Sequence, residues 1–431
     1  MNTKTAIENT YRMRDSQSHT HKNAIWGTIA FPKAIRNTNI GKENQIPSSE
    51  IKLTGKFPVI DQGQPFIAGY SDENDRVIRN DLPLVIFGDH TRVVKFVDFP
   101  FILGGDGTKV LKPCEDLFDD RFFYYVLKNL NIPSRGYNRH FTLLKERRLP
   151  KPELPEQRKI AAVLGIVQRA IEQQERLLAL TAELKKTLLH QLFTRGLRNE
   201  PQKQTEIGII PQSWNLVRLC DFFETQLGKM LSQKARVGDD PKPYLRNKNI
   251  QWGTIDTNDL LRMDFNERER AKFTLISGDL LVCEGGEPGR SAIWRGELSE
   301  CFYQKALHRL RPKSKAITNI FLAHWMEFSF RFQNLYGIAG ASSTIAHLPE
   351  VQLKCLTIPL PDRDEQDDMC KVLDGVDEKI KIHRRKHAAL SDLFSTLLHE
   401  LMTANIRVDG INFDEHTKSY IESGESNVFP Q

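Results

Sequence analysis

The sequence predicts an α+β protein in which two globular regions alternate with two long antiparallel coiled-coil helices, the whole related by a pseudo-twofold internal repeat. Three observations carry this. One segment recurs without a gap at an offset of 209 residues. Each copy follows a proline-rich approach and then runs free of proline at helical periodicity. The stretches outside the copies read as short β-type runs broken by Gly, Asp and Asn turns. With 431 residues, 39% hydrophobic and 27% charged, the chain holds enough apolar mass for more than one core.

The first globular region is placed at 1–150 and the second at 201–357. They match each other loosely. Leu82–Gly88 resembles Asp279–Gly285, Val110–Pro113 resembles Leu310–Lys313, and an aromatic helix follows each, Phe122–Leu127 and Phe321–Trp325. The first helix is placed at 151–200 after Leu149-Pro150-Lys151-Pro152-Glu153-Leu154-Pro155. The second is placed at 358–408 after Ile358-Pro359-Leu360-Pro361, and an acidic tail occupies 409–431. At the common offset Glu156-Gln157 meets Glu365-Gln366, and Val163-Leu164 meets Val372-Leu373. Thr187-Leu188-Leu189-His190 meets Thr396-Leu397-Leu398-His399, and Leu192, Thr194 and Arg198 meet Leu401, Thr403 and Arg407. A heptad seam runs through Ile160, Leu164, Val167, Ile171, Gln174, Leu178, Thr181, Lys185, Leu188 and Leu192. In the second copy it runs through Met369, Leu373, Val376, Ile380, His383, His387, Leu390, Phe394, Leu397 and Leu401. So narrow a stripe wants a partner helix, and the economical partner is the other copy.

Charge sits unevenly: +5 over 1–150, +3 over 151–200, +4 over 201–357 and −6 over 358–431. A basic body with an acidic end points to a polyanionic partner for the body. No apolar run reaches the ~18 residues that cross a bilayer, and Met1–Lys22 lacks the apolar core of a secretory signal. Six cysteines without a CxxC pair argue against a zinc ribbon and a disulfide framework and suit a reducing cytoplasm.

The proline-rich approaches, the Glu-Gln helix starts and the Leu-Leu-His-x-Leu-x-Thr helix ends together resemble the specificity subunits of type I restriction–modification systems. So do Ile210–Leu219, Tyr244–Ile250, Gly278–Val282 and Gly340–Ser343 of the second region. The resemblance covers about 24–407; the first region departs from it by lacking the Pro-x-x-Trp opening seen at Pro211 and Trp214, for which Trp26 is a poor substitute. It implies a non-catalytic adaptor of cytoplasmic location. Each globular region would be a target-recognition domain reading one half of a bipartite, asymmetric double-stranded DNA target. The helices would set the gap and dock two adenine-N6 methyltransferase subunits, through which restriction and translocation subunits join. A rod of roughly 60 Å spans at most about 18 base pairs, and readers on one face of a duplex sit about one turn apart.

Base readout draws on Arg, Lys, Asn, Gln and Ser beside a groove. In the first domain these are Gln62 and Gln64, then His90 and Arg92, then Arg135, Tyr137, Asn138 and Arg139. In the second they are Lys229, Ser232, Lys234, Tyr244, Arg246, Asn247, Lys248 and Asn249, with Arg290 on a Gly-rich loop and Ser342, Ser343 and Thr344 in a small-residue stretch. No cofactor is expected. Gly104–Gly107 lacks the spacing of a phosphate-binding loop, and no Asn-Pro-Pro-Tyr signature of an amino-methyltransferase is present. His383 and His387 share a helix face, but Lys381, Arg384, Arg385 and Lys386 would repel a metal, so they read as a polar break in the seam. Two other readings stay open at this point: a self-contained DNA-modifying enzyme, and a coiled-coil scaffold whose basic regions bind proteins.

Overall fold

In a computed structural model the described residues are 26–134, 136, 138–232, 238, 240–337 and 347–408. They group into two units, one made of residues up to Gln173 with those from His387 onward, the other of Gln174–Lys386.

The globular part of the first unit carries β1 (Gly27–Ala30), β2 (Ile35–Arg36), β3 (Gln45–Ile46), β4 (Phe57–Ile60) and β5 (Gly69–Ser71). These are followed by β6 (Leu84–Gly88), β7 (Val94–Val97), β8 (Ile102–Gly104), β9 (Thr108–Pro113), helix α1 (Asp120–Asn129) and β10 (Arg148–Lys151). The strands form sheets in the order β2-β9-β6-β7 and β3-β8-β4-β5, with β1 and β10 as a separate pair. The first sheet is antiparallel, whereas β8 runs parallel to both β3 and β4. Gly27 lies opposite Lys151, so the chain enters and leaves the domain side by side and passes into α2 (Leu154–Arg195). The proline-rich approach is thus an exit strand; Pro150 is tolerated because a two-stranded pair has only edges.

The second unit repeats the plan. After the hairpin β11 (Gln202–Thr205) and β12 (Gly208–Pro211) come β13 (Asn215–Arg218), β14 (Phe223–Leu227), β15 (Lys242–Leu245), β16 (Ile250–Gln251), β17 (Thr254–Ile255) and β18 (Leu261–Met263). Then follow β19 (Leu280–Cys283), β20 (Ser291–Ile293), β21 (Phe302–Tyr303), β22 (Leu307–Pro312), α3 (Asn319–Met326), β23 (Thr357–Leu360) and α4 (Arg363–Met402). The order β14-β22-β19-β20 matches β2-β9-β6-β7, β18-β15-β21 matches β5-β4-β8, and β13-β23 matches β1-β10. The sequence match of Leu82–Gly88 to Asp279–Gly285 falls on β6 and β19, interior strands of both sheets.

In each unit an aromatic helix seals the domain onto two long-helix segments. Phe122, Phe123 and Tyr125 of α1 share a core with Ile160 and Leu164 of α2 and with Phe394, Leu398 and Leu401 of α4. Phe321, Leu322 and Trp325 of α3 share one with Leu189, Leu192 and Phe193 of α2 and with Met369 and Leu373 of α4. Gln174 and His383, equivalent in the repeat, meet in the seam, His383 Nδ1 lying 2.8 Å from Gln174 Oε1. Antiparallel pairing of two like helices brings equivalent positions together in this way.

The Glu-Gln pair has a structural reason. Gln157 accepts from the Asp119 N–H and donates to the Leu117 and Pro152 carbonyls, all at 2.9 Å. Gln366 accepts from the Thr318 N–H at 3.2 Å and donates to the Ala316 and Pro361 carbonyls at 2.8 and 3.0 Å. Asp119 and Thr318 are the N-caps of α1 and α3, so one buried amide ties the long helix to the start of the aromatic one. The preceding glutamate receives the indole N–H of Trp214 at 3.0 Å on Glu365 and that of Trp26 at 3.1 Å on Glu156. Trp26 therefore performs the task of Trp214. Its rating as a poor substitute is corrected: the first domain lacks the proline three residues ahead of the ring but keeps the indole bond.

Candidate nucleic-acid interface

In the first domain four loops converge behind β4, β6, β8 and α1. Gln62 Oε1 accepts from the His90 N–H at 3.1 Å, and Gln62 Nε2 donates to the Asp106 carbonyl at 2.7 Å. Buried Asp89 donates its N–H to the Gly107 carbonyl and accepts from the His140 N–H through its own carbonyl, both at 2.8 Å, while its carboxylate accepts from the Phe141 N–H at 2.8 Å. His140 is fully buried, with Nδ1 2.9 Å from the Asp89 carbonyl. The loops pack tightly: a Cβ on Gly88 would lie 2.2 Å from Thr91 Oγ1. Gln62 is accordingly a clamp with both amide ends engaged, and His90 lies half-buried beside it. Gln64, Arg92, Asn138 and Arg139 stand exposed on this base. Arg92 donates to the Ile132 carbonyl at 2.9 Å. Arg135 and Tyr137 lie outside the described residues.

In the second domain the corresponding feature is the turn after β15. Asn247 Nδ2 donates to the Gly285 carbonyl at 2.9 Å, and Arg290 Nη2 donates to the Asn247 carbonyl at 3.0 Å, joining this turn to the Gly-rich hairpin between β19 and β20. Arg246 Nη2 donates to the Asp259 carbonyl at 2.8 Å and lies 3.3 Å from the Asp259 carboxylate, which also binds Lys248. Lys248 and Arg246 hold that carboxyl below the usual carboxylate range, Lys248 contributing most. Arg290 pairs with Glu287 at 3.1 Å, and Glu287 in turn receives the indole N–H of Trp252 at 2.6 Å. Ser232 is exposed; Lys234, Ser342, Ser343 and Thr344 lie outside the described residues.

Three residues of the predicted set are corrected. Tyr244 is 2% exposed and Asn249 1%, so neither reaches a duplex. Tyr244 points into the core from the middle of its sheet, and Asn249 is the buried clamp that donates to the Asp256 and Asp259 carbonyls at 3.0 and 3.1 Å. Lys229 is held inside by Glu269 and the Asp264 carbonyl, each at 2.6 Å, above the Phe265 ring. Sequence reasoning overlooked Trp252, Asp259 and Glu287, because a search for donors passes over the acceptors that hold them.

Other chemistry is accounted for by structure. His324, Asp374 and Asp377 lie close enough to share a cation, but Lys185 fills that role, 2.7 Å from Asp377 and 2.5 Å from Glu327. Burial pushes the Cys283 thiol, beneath the candidate turn, up to about 11, away from nucleophilic reactivity.

Comparison with known proteins places the chain among similar sequences and folds. Residues 211–391 match the family described as the type I restriction modification DNA specificity domain. The chain is 26% identical over 313 residues to the MjaVIII specificity subunit of Methanocaldococcus jannaschii, covering 69% of this chain and 72% of that protein. It is 30% identical over 173 residues to the StySPI specificity subunit of Salmonella potsdam, covering 39% and 37%. Its fold is similar to that of the type I system S subunit from M. genitalium, at a TM-score of 0.58 and 16% identity over 89% of this chain and 98% of that one. A second likeness of fold, at a TM-score of 0.50 and 15% identity over 88% of this chain and 97% of the other, is to a chain from a study of type I complex assembly and conformational transition.

Proposed function

We infer that this chain, whose residues 211–391 match the type I restriction modification DNA specificity domain, is the sequence-reading, non-catalytic specificity subunit of a type I restriction–modification complex, and that each globular domain reads one half of a bipartite DNA target. The observation that carries this is the duplicated plan. Two domains of one strand order, each clamped to one long helix by an equivalent glutamine, supply two readers. The loops that differ between them supply different readings. In the first domain Gln64, Arg92, Asn138 and Arg139 are the exposed donors; in the second, Arg246, Asn247, Lys248 and Arg290 form a basic turn. Such groups fix register through phosphates and discriminate through base edges.

The helices, 42 and 40 residues long, would extend about 60 Å and set the gap between the half-sites. Their outer faces would dock two adenine methyltransferase subunits, with restriction subunits joining through these, in the cytoplasm. No helix among the described residues is long and apolar enough to cross a membrane. Mapping modified adenines in DNA from cells that express this chain with its methyltransferase partner tests the reading. A bipartite motif modified in both halves is expected; an assembled complex that yields no new motif would contradict it.

A further inference from the structure

We propose that Asp259 and Glu287 determine specificity in the second domain: in the free protein they hold Arg246, Lys248 and Arg290 in ion pairs, and only a duplex that replaces both carboxylates engages those cations. The inference rests on the DNA-reading role of the same turn. A carboxylate offers a cation two oxygens much as a phosphate does, so a fixed carboxylate competes with the DNA backbone for it. Asp259 is fixed. Its carbonyl receives both Asn249 and Arg246, and Asn249 is buried, so the Asp259 carboxylate is presented to Arg246 and Lys248 by a tethered loop. Glu287 is fixed by the Trp252 indole and meets Arg290 on a hairpin joined to Asn247.

A second observation marks the latched state as incomplete. Arg246 Nε, Arg290 Nε and Asn247 Oδ1 are buried without a hydrogen-bond partner among the described residues, all three within this turn and its neighbouring hairpin. A ligand that draws the guanidinium groups outward would give them partners. The first domain contrasts: among the described residues Arg92 and Arg139 pair with no carboxylate. Tight discrimination therefore belongs to the second half-site, where non-specific phosphate contact is taxed by two ion pairs that a correct target replaces in full.

The test uses the complete assembly with its methyltransferase subunits, a random-sequence duplex and a duplex carrying the mapped motif. Asp259→Asn and Glu287→Gln should each raise affinity for the random duplex several-fold and steepen its salt dependence by about one logarithmic unit per freed cation. Both should narrow the gap between target and random duplex, and Asp259→Glu should restore it. Weaker binding to both duplexes would overturn the proposal in favour of carboxylates that merely support the arginines. An unchanged salt dependence would overturn it as well. A wild-type assembly that binds neither duplex would instead remove the DNA-reading role on which the inference stands.

Discussion

Phe394 and Lys185 occupy equivalent places in the repeat, and each is 7% exposed, yet one is an aromatic ring and the other an ammonium. In the first unit the cation comes from α1, where Lys128 Nζ lies 4.9 Å from the centre of the Phe394 ring. In the second unit the aromatic helix runs on into Glu327, nine residues past its N-cap as Lys128 is past its own, and the cation is Lys185 on α2. Neighbouring positions follow suit. Tyr125 donates to Gln168 at 3.2 Å in the first unit, while His324 lies 3.0 Å from Asp374 in the second. The glutamine clamps, in contrast, are alike bond for bond. A side chain that binds backbone has partners that substitution cannot remove, so it is retained; a side chain that binds another side chain can change together with its partner.

The largest effect expected from this comparison is at the ion pair. Lys185→Met leaves Glu327 buried with only Arg331 at 2.8 Å and should cost about 3 kcal/mol in denaturant melts. Adding Glu327→Gln should recover most of that loss. A double variant as unstable as the single one would show that Lys185 contributes packing rather than charge. Next come the clamps: Gln157→Ala and Gln366→Ala each orphan buried backbone groups and should cost about 1–3 kcal/mol. Because they belong to separate units, the double variant should lose their sum to within about 0.5 kcal/mol. Strong non-additivity would break the picture of two independent clamps.

The smallest effect is a pH dependence at one contact of the second unit. The bond from His324 holds the Asp374 carboxyl below its usual range. A depressed carboxylate contributes stability above the pH at which the unfolded chain titrates and loses it as pH falls through the depressed value. Acid should therefore weaken the contact between His324 and Asp374, and Asp374→Asn should flatten that local response; hydrogen exchange around these residues, followed from neutral pH downward, reads both. Tyr125 and Gln168 offer the first unit no such titration.

Much of the frame was legible in the sequence because a repeat in one register advertises itself. Glu156-Gln157 and Glu365-Gln366 stood out before their bonds to the N-caps were visible, and His383 was readable as a polar break in the seam. The candidate reading residues were less legible. Composition does not distinguish an arginine facing solvent from one latched by Asp259, nor show that Asn249 turns inward while Asn247, two residues earlier, bridges to a hairpin 38 residues away. Trp26 was underrated because its proline frame was missing, although the indole N–H alone makes the bond to Glu156.

The central claim is that two independent readers sit on a common frame. Adenine-methylation mapping with Gln64→Ala and Arg139→Ala introduced together into the first domain tests it most directly. The account predicts that one half of the bipartite motif becomes degenerate while the other half and the gap are unchanged. Degeneracy in both halves, or a changed gap, would contradict it.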